Sequence, residues 1–416
     1  MKDSGIEWIG EIPVDWNIKR VKAVLCERNE SNNPVQTDKI LSLTNDRGVI
    51  PYEEKGDVGN KSKEDLTGYK LAYPGDIVLN SMNVFIGSVG LSSYFGCVSP
   101  VYYMLYPRNK NDSVSFFNYL FQTKELQTKL HGYGNGIMEI RMRIQMSKLN
   151  SVQLPVPPSD VQQKIAAYLD RKCSQIDAII ARQKEVIEKL KVYKLSVITE
   201  TVTKGLNPNV PMKDSGVEWI GEIPEHWEIM RFGWCATIKS NLVDPDDYAD
   251  YPQISPDSIE KNSGRILEYK TVKESGVISW NHLFFKGQII YSKIRPMLNK
   301  VAIAPFDGLC SADMYPIETN NNTQFFVYMM LSDYFTSQVG LVTENRVKMP
   351  KINQKELGAI MVTIPPQSEQ ETISKYLLEK CSSIDAVIDK KQGLIDKLDD
   401  YKKSLIYEVV TGKKEM

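Results

Sequence analysis

The chain has 416 residues, 42% of them hydrophobic and 25% charged, with a formal net charge of −1. That composition suits a globular protein of two or more domains. The charge does not by itself suggest nucleic-acid binding, although a DNA footprint needs only a local basic face. No stretch approaches the run of about 18 apolar residues that a membrane span requires. The polar start lacks the apolar core of a signal peptide, so a cytoplasmic protein is expected.

Residues 1–13 read MKDSGIEWIGEIP, and Trp16 and Arg20 follow. The segment returns at 212–224 as MKDSGVEWIGEIP, with Trp227 and Arg231 behind it and twelve of thirteen positions identical. Residues 21–150 come next and have no close copy. Their stretch YKLAYPGDIVLNSMNVFIGSVGLSSYFGCVSPVYYMLYP is rich in β-branched and aromatic residues, with Gly and Pro at turn spacing, which predicts strands. A short amphipathic helix is predicted near 114–130. Ile77 to Pro107 holds no charged residue, and its loop reads Asn80-Ser81-Met82-Asn83. Asn80 and Asn83 suit bidentate contact with adenine, but asparagine in a loop is also a turn former. A glycine-rich run, residues 132–136, leads to Arg141 and Arg143. It reads either as a backbone clamp on nucleic acid or as a flexible connector.

Pro157-Pro158 then opens a long helix, because proline is tolerated in a first helical turn. Leu169, Ile176, Leu190 and Val197 form one heptad row, and Cys173, Ile180 and Ile187 the next. About 40 helical residues give a rod of roughly 60 Å. Residues 157–203 align without a gap to 365–411, with 23 of 47 positions identical. The second copy carries Leu377, Ile384, Leu398 and Leu405, with Cys381, Ile388 and Ile395. Gln183 and Lys391 interrupt both seams at one shared position. Antiparallel pairing is expected, since it brings the end of helix one to the start of helix two and lets the intervening domain be compact. Ile176 and Ile180 should then lie near Ile395 and Leu398, and Ile187 and Leu190 near Ile384 and Ile388.

The second variable stretch, 232–358, again predicts strands, followed by a short helix near 323–339. Gly287-Gln288-Ile289-Ile290 aligns with Gly75-Asp76-Ile77-Val78, and Ser311 and Tyr315 align with Ser99 and Tyr103. From Ser275 to Phe306 there is no acidic residue but four basic ones, Lys286, Lys293, Arg295 and Lys300. They interleave with Trp280, Phe284, Phe285 and Tyr291. Lys293 and Arg295 are placed one strand position apart on one face. Such cations neutralise phosphates, and an arginine can grip a guanine edge; the alternative is a solvated strand edge. Arg346 and Lys348 sit where Arg141 and Arg143 sit in the first copy.

The fold expected is α+β: two mixed α/β recognition domains separated by two long helices in an antiparallel coiled coil, an internal repeat with pseudo-twofold symmetry. The boundaries are 1–153 for the first domain and 154–204 for the first helix. The second domain is 205–361, with a linker at 205–216, and the second helix 362–416. No catalytic constellation emerges. There is no phosphate-binding P-loop, no glycine-rich dinucleotide or adenosylmethionine turn, and no Asn-Pro-Pro-aromatic motif. The six cysteines are far apart with no CxxC, and the three histidines have no metal-ligand spacing.

WIGEIP near each start, the Gly75 and Gly287 segments, Ser292-Lys293-Ile294-Arg295-Pro296, and each Pro-Pro with Gln162 or Gln370 behind it appear in duplicated order. In this the chain resembles the specificity subunit of a type I restriction–modification system along nearly its whole length. The resemblance implies a non-catalytic subunit that binds double-stranded DNA. Each domain would be a target recognition domain reading one half of a bipartite, asymmetric site, with the helices as the ruler of the spacer. It implies two methyltransferase subunits and restriction–translocase subunits as partners. Adenosylmethionine, ATP and magnesium would belong to those partners, with no cofactor, metal or membrane contact in this chain. The alternative is the specificity subunit of a fused restriction–methylation enzyme that cuts on both sides of its site. The first domain lacks the Lys-Ile-Arg-Pro run, so contacts inferred for the second cannot be copied to it.

Overall fold

Each proline pair stands between a short strand and a long helix. Gln153–Val156 pairs antiparallel with Asn17–Arg20, and Met361–Ile364 with Glu228–Arg231. The helices Ser159–Lys204 and Gln367–Val410 begin at once behind the prolines and run for 46 and 44 residues. Both start where a missing backbone donor costs nothing. Gln162 and Gln370, one turn in, are 1% and 2% exposed. Their amides donate back to Pro157 O and Pro365 O, at 2.9 Å in both cases. Their carbonyls accept the N–H of Ser113 (3.1 Å) and of Asn322 (2.9 Å). Those two residues cap the helices Val114–Phe121 and Thr323–Leu331. A neutral amide bonded on both sides can be buried cheaply, and here it ties each long helix to its own domain. At their other ends the helices stop at Gly205 and Gly412, both with φ 73°. That left-handed cap favours glycine. A Cβ would meet Trp227 at 3.2 Å in one case and Pro13 at 2.4 Å in the other.

The computed structural model describes residues 1–45, 47–56, 65–83, 86–133, 143–344, 346 and 349–415. The chain divides into two compact units, Met1–Arg182 with Gly393–Met416, and Gln183–Gln392. Each unit therefore contains part of both long helices. In the second unit Lys391 donates to Gln183 (2.9 Å) and Lys194 to Asp385 (2.9 and 2.8 Å). The positions advance along one helix as they retreat along the other, so the pairing is antiparallel. The shared polar position that interrupts both seams is a hydrogen bond between amide and ammonium. In the first unit Lys402 donates to both oxygens of Asp177, at 2.7 Å each. Ile176, Ile180, Ile187, Ile384 and Ile395 are all buried, as seam residues should be. Cys173 and Cys381 are buried among them and, like the other cysteines, carry free thiols.

Each unit carries a four-stranded antiparallel sheet of one topology. In the first unit the order is Leu25–Arg28, Tyr102–Pro107, Ile77–Asn80, Val89–Leu91. In the second it is Ala236–Ile238, Met314–Thr319, Ile289–Ser292, Val301–Ile303. Tyr103 faces Leu79 in one sheet and Tyr315 faces Tyr291 in the other. Period-two alternation splits these strands between two cores. Val78 and Met104 pack with Leu41, Leu43 and Val49. Ile290 and Met314 pack with Ile254, Phe284 and Cys310. The second unit adds a five-stranded sheet in which Pro252–Ile254 runs parallel to Gly308–Cys310.

The single helices expected near 114–130 and 323–339 are each a pair: Val114–Phe121 with Lys124–His131, and Thr323–Leu331 with Asp333–Thr343. Buried hydroxyls make the break. Thr123 donates to Leu120 O (2.7 Å) and Ser332 to Met329 O (2.6 Å), both with extended backbone. Hydroxyl groups that take a backbone acceptor in this way compete with the helical ladder. Among the described residues no helix is long and apolar enough to cross a membrane, and no cluster of side chains could hold a metal ion.

Candidate nucleic-acid interface

In the second unit the strand Ile289–Ser292 leaves the sheet and enters a ledge made of two segments. Arg295 N–H donates to Pro350 O (2.8 Å) and Ile352 N–H to Lys293 O (2.9 Å), while Ile294 bridges Lys351. Tyr315 clamps the pair from below, its hydroxyl donating to Ile352 O at 3.3 Å. Arg295, Asn299 and Met349 have φ of 44°, 41° and 49°. Left-handed non-glycine residues cost on the order of 1–3 kcal/mol each and tend to gather at functional sites. Arg295 is exposed, and among the described residues its guanidinium has no hydrogen-bond or ion-pair partner. Met297 and Met349, each about half exposed, lie beside it in the chain segments of the ledge.

Lys293 and Arg295 do not share a strand face. The strand stops at Ser292, and the left-handed backbone at Arg295, followed by the turn Pro296–Leu298, abolishes the period-two register. Lys293 is half-buried, its ammonium 5.3 Å from the centre of the Tyr315 ring. Burial raises the Tyr315 hydroxyl above its ordinary range. His282 is shifted down by burial first and then by the charge of Lys293. The two cations remain on one ledge through backbone bonding of the loop.

The other basic residues of the second unit separate into different roles. Lys286 is exposed in the turn at the opposite end of the same strand, its N–H bonded to Asp307. Lys300 folds inward, donating to Pro256 O (2.7 Å) and Asp257 (3.3 Å). Arg346 staples the ledge through Lys351 O and the Glu356 carboxylate. The Arg346 bond is the first cause of the lowered Glu356 carboxyl. Lys351, which the sequence did not single out, pairs with Asp313 at 3.0 Å. Lys348 lies outside the described residues.

The first unit builds the same ledge from neutral groups. Ile144 N–H donates to Ser81 O (2.9 Å), and the Tyr103 hydroxyl donates to Ile144 O (3.0 Å). Asn80 is buried and its carbonyl accepts Met82 N–H (3.0 Å), so its side chain forms the turn. Asn83 is half-buried, and its backbone carbonyl accepts from Ile86 and Ser88. Arg143 is exposed at the ledge, next to Ile144. Arg141 lies outside the described residues. Before the ledge, Asp76 and Gln288 each accept the N–H three residues back, from Tyr73 and Phe285, at 2.9 Å. Asp76 is buried against Arg28 (3.0 Å), and burial still raises its carboxyl. Gln288 needs no cation and bonds Glu318 (2.6 Å) instead. Tyr103 and Tyr315, aligned in the sequence without a role, each hold a ledge through a hydroxyl bond to backbone. Their recurrence at matched strand positions was the signal.

Two α/β heads of one topology, each offering a different chemistry on the same ledge, sit on a duplicated helical frame. That is the plan of a recognition protein with two reading heads. Residues 13–189 and 224–399 both match the family described as type I restriction modification DNA specificity domain. The chain belongs to that family. It is 33% identical over 298 residues to the type I restriction enzyme EcoDI specificity subunit of Escherichia coli, covering 68% of this chain and 66% of that protein. It is 23% identical over 430 residues to the type I restriction enzyme MjaVIII specificity subunit of Methanocaldococcus jannaschii, covering 97% and 93%. A solved chain described under complex assembly and conformational transition of the type I R-M system shares the fold. Its TM-score is 0.71 at 11% identity, covering 97% of this chain and all of that one.

Proposed function

We propose that the chain is the non-catalytic, DNA-reading subunit of a type I restriction–modification complex, with each head reading one half of a bipartite, asymmetric target. The observation that carries this is the pair of matched ledges, alike in backbone clamp and different in side chains. Two heads that read the same bases would have no need to diverge at Asn83 and Arg295 while keeping Tyr103 and Tyr315. In the second head Arg295 is the base reader, because its fork is exposed and held by a constrained backbone. Lys293 contributes charge toward phosphate. In the first head Asn83 stands where Arg295 stands in the second, and Arg143, at the position of Lys351, supplies the charge. The chain brings two methyltransferase subunits and restriction–translocase subunits to the site, and adenosylmethionine, ATP and magnesium act in those partners. The work is done on DNA in the cytoplasm. The test is a genome-wide map of methylated adenine with the gene present and deleted. The expected result is one two-part motif that disappears with the gene; loss of an unbroken motif, or of none, would refute the reading.

A further inference from the structure

The two heads correspond without a gap from Lys70 to Leu105 and from His282 to Ile317. Their strand registers fix this. Gly96 faces Ala72 and Cys97 faces Leu71 in the first head, as Gly308 faces Phe284 and Leu309 faces Leu283 in the second. Val98 then faces Lys70, and Cys310 faces His282. Further on, Ile144 N–H donates to Ser81 O as Ile352 N–H donates to Lys293 O. So Lys70 stands where the second head has His282, and Ser81 stands where it has Lys293. Each head has one lysine at this pair of positions, and not at the same one.

The two ammonium groups nevertheless reach the same place. Lys70 Nζ lies 5.4 Å from the centre of the Tyr103 ring, and Lys293 Nζ lies 5.3 Å from that of Tyr315. The position that each head leaves without a lysine is closed. Ser81 is fully buried, its hydroxyl donating to Val101 O (2.6 Å). His282 is 4% exposed, its Nδ1 has no hydrogen-bond partner among the described residues, and burial and then the Lys293 charge push its pKa down. Such an imidazole is neutral at pH 7. In other respects the two lysines differ. Lys70, 17% exposed at its side chain, also donates to Tyr102 O (3.3 Å) and lies 3.7 Å from Glu27. Lys293 makes no ion pair with a carboxylate among the described residues. What the two share is the tyrosine.

The face of a phenol ring carries negative charge density and attracts an ammonium. The hydroxyl of each ring holds a ledge, through Ile144 O in one head and Ile352 O in the other. A cation fixed on the face limits the tilt of the ring, and with it the height of the segment that bears Arg143 or Lys351. Packing alone would be served by any apolar side chain over the ring. A lysine that reaches it from two different positions points to the charge itself as the requirement.

We propose that an ammonium on the face of the clamp tyrosine positions the ledge of each head for base reading, supplied by Lys70 in the first head and by Lys293 in the second. The inference rests on the function proposed above and makes both lysines positioning residues. The methyltransferase assembled on the full chain would be given DNA carrying its mapped target, and its methylation rates compared with those on single-base variants of either half. Lys70→Met and Lys293→Met keep the length of the side chain and remove the charge. Each should lower discrimination at its own half-site by about threefold to tenfold and leave the other half-site as it was. Adding Ser81→Lys to Lys70→His, or His282→Lys to Lys293→Ser, gives a head the other head's arrangement. Each relocated lysine should bring discrimination back to within about twofold of wild type, whereas Lys70→His and Lys293→Ser alone should not. Thermal melts would confirm that the variants compared are folded. Undiminished discrimination in both methionine variants would overturn the proposal. So would folded variants with relocated lysines that discriminate no better than the single ones. A wild-type complex indifferent to changes in either half-site would instead overturn the function proposed above.

Discussion

The two ledges differ where they face outward and agree where they are held. In the second unit the loop after the strand presents Arg295 from a left-handed backbone and folds Lys293 over Tyr315. In the first unit the same stretch is a neutral turn closed by the Asn80 carbonyl. Yet Ile144 N–H to Ser81 O and Ile352 N–H to Lys293 O are both 2.9 Å, and each is clamped by a tyrosine hydroxyl. On the function proposed, a head of this design changes what it reads by replacing loop side chains, because the bonds that position the loop are made by backbone and by a tyrosine behind it.

The most complete way to break the comparison is to exchange one head. Replacing residues 232–358 with the corresponding stretch of another family member should change one half of the methylated motif and leave the other intact. If both halves change, the assignment of one head to one half-site is wrong.

The repeated ion pairs in the helices give the next largest effect. Lys194 is 7% exposed at its side chain and Asp385 25%, whereas Lys402 and Asp177 are 28% and 55% exposed. Asp385→Ala strands a buried ammonium and should cost about 3 kcal/mol. Asp177→Ala should cost under about 1 kcal/mol, because water takes over the role of the lost partner. Urea denaturation of the two variants side by side checks the ranking; equal losses would show that burial does not separate these pairs.

Arg295→Ala should cost roughly 1–3 kcal/mol of DNA binding and relax discrimination at one base pair. Lys293→Ala should weaken binding to all sequences alike and lower the salt slope by about one. Titration of the assembled methyltransferase at several salt concentrations, on single-base variants of one half-site, reads both. Unchanged affinity and discrimination in both would move the reading face away from this ledge.

The smallest effect sharpens the likeness. Tyr103→Phe and Tyr315→Phe each remove one hydrogen bond to a backbone carbonyl and should cost about 1 kcal/mol of stability. Each should also blur recognition at its own half-site only. Thermal melts and methylation maps of the two variants would show whether the clamps are as equivalent as their geometry.

Much of the frame was legible in the sequence because burial repeats with a period. The heptad rows, the proline entries and the shared polar position each left a spaced signal, and the Lys391–Gln183 bond lies where both seams were interrupted. The ledge was less legible because its geometry is not periodic. Alternation carried past Ser292 placed Lys293 and Arg295 on one face, and one left-handed residue before a proline undid it. Local charge, likewise, does not show which cations are already bonded within the unit. Lys300 is spent on Pro256 and Asp257, and Arg346 on Glu356, partners distant enough in sequence that no local pattern reveals them. Conversely, Lys351 was passed over beside Arg346 and Lys348, because the ledge forms only when its stretch meets residues 293–295.

The first unit is drawn from both ends of the chain, and the second from one unbroken stretch. On the ribosome these two cannot mature alike. Residues 183–392 are all present once one unbroken stretch has emerged. The first unit must wait until Lys402 reaches Asp177, Tyr407 reaches Trp8 O (2.9 Å) and Gly412 settles against Pro13. Domains fold largely as their segments become available, so the first head to be made is the last to be closed. Until then its share of the heptad seam has no partner helix, so the apolar face around Cys173 and Ile176 stays uncovered in the newborn first half.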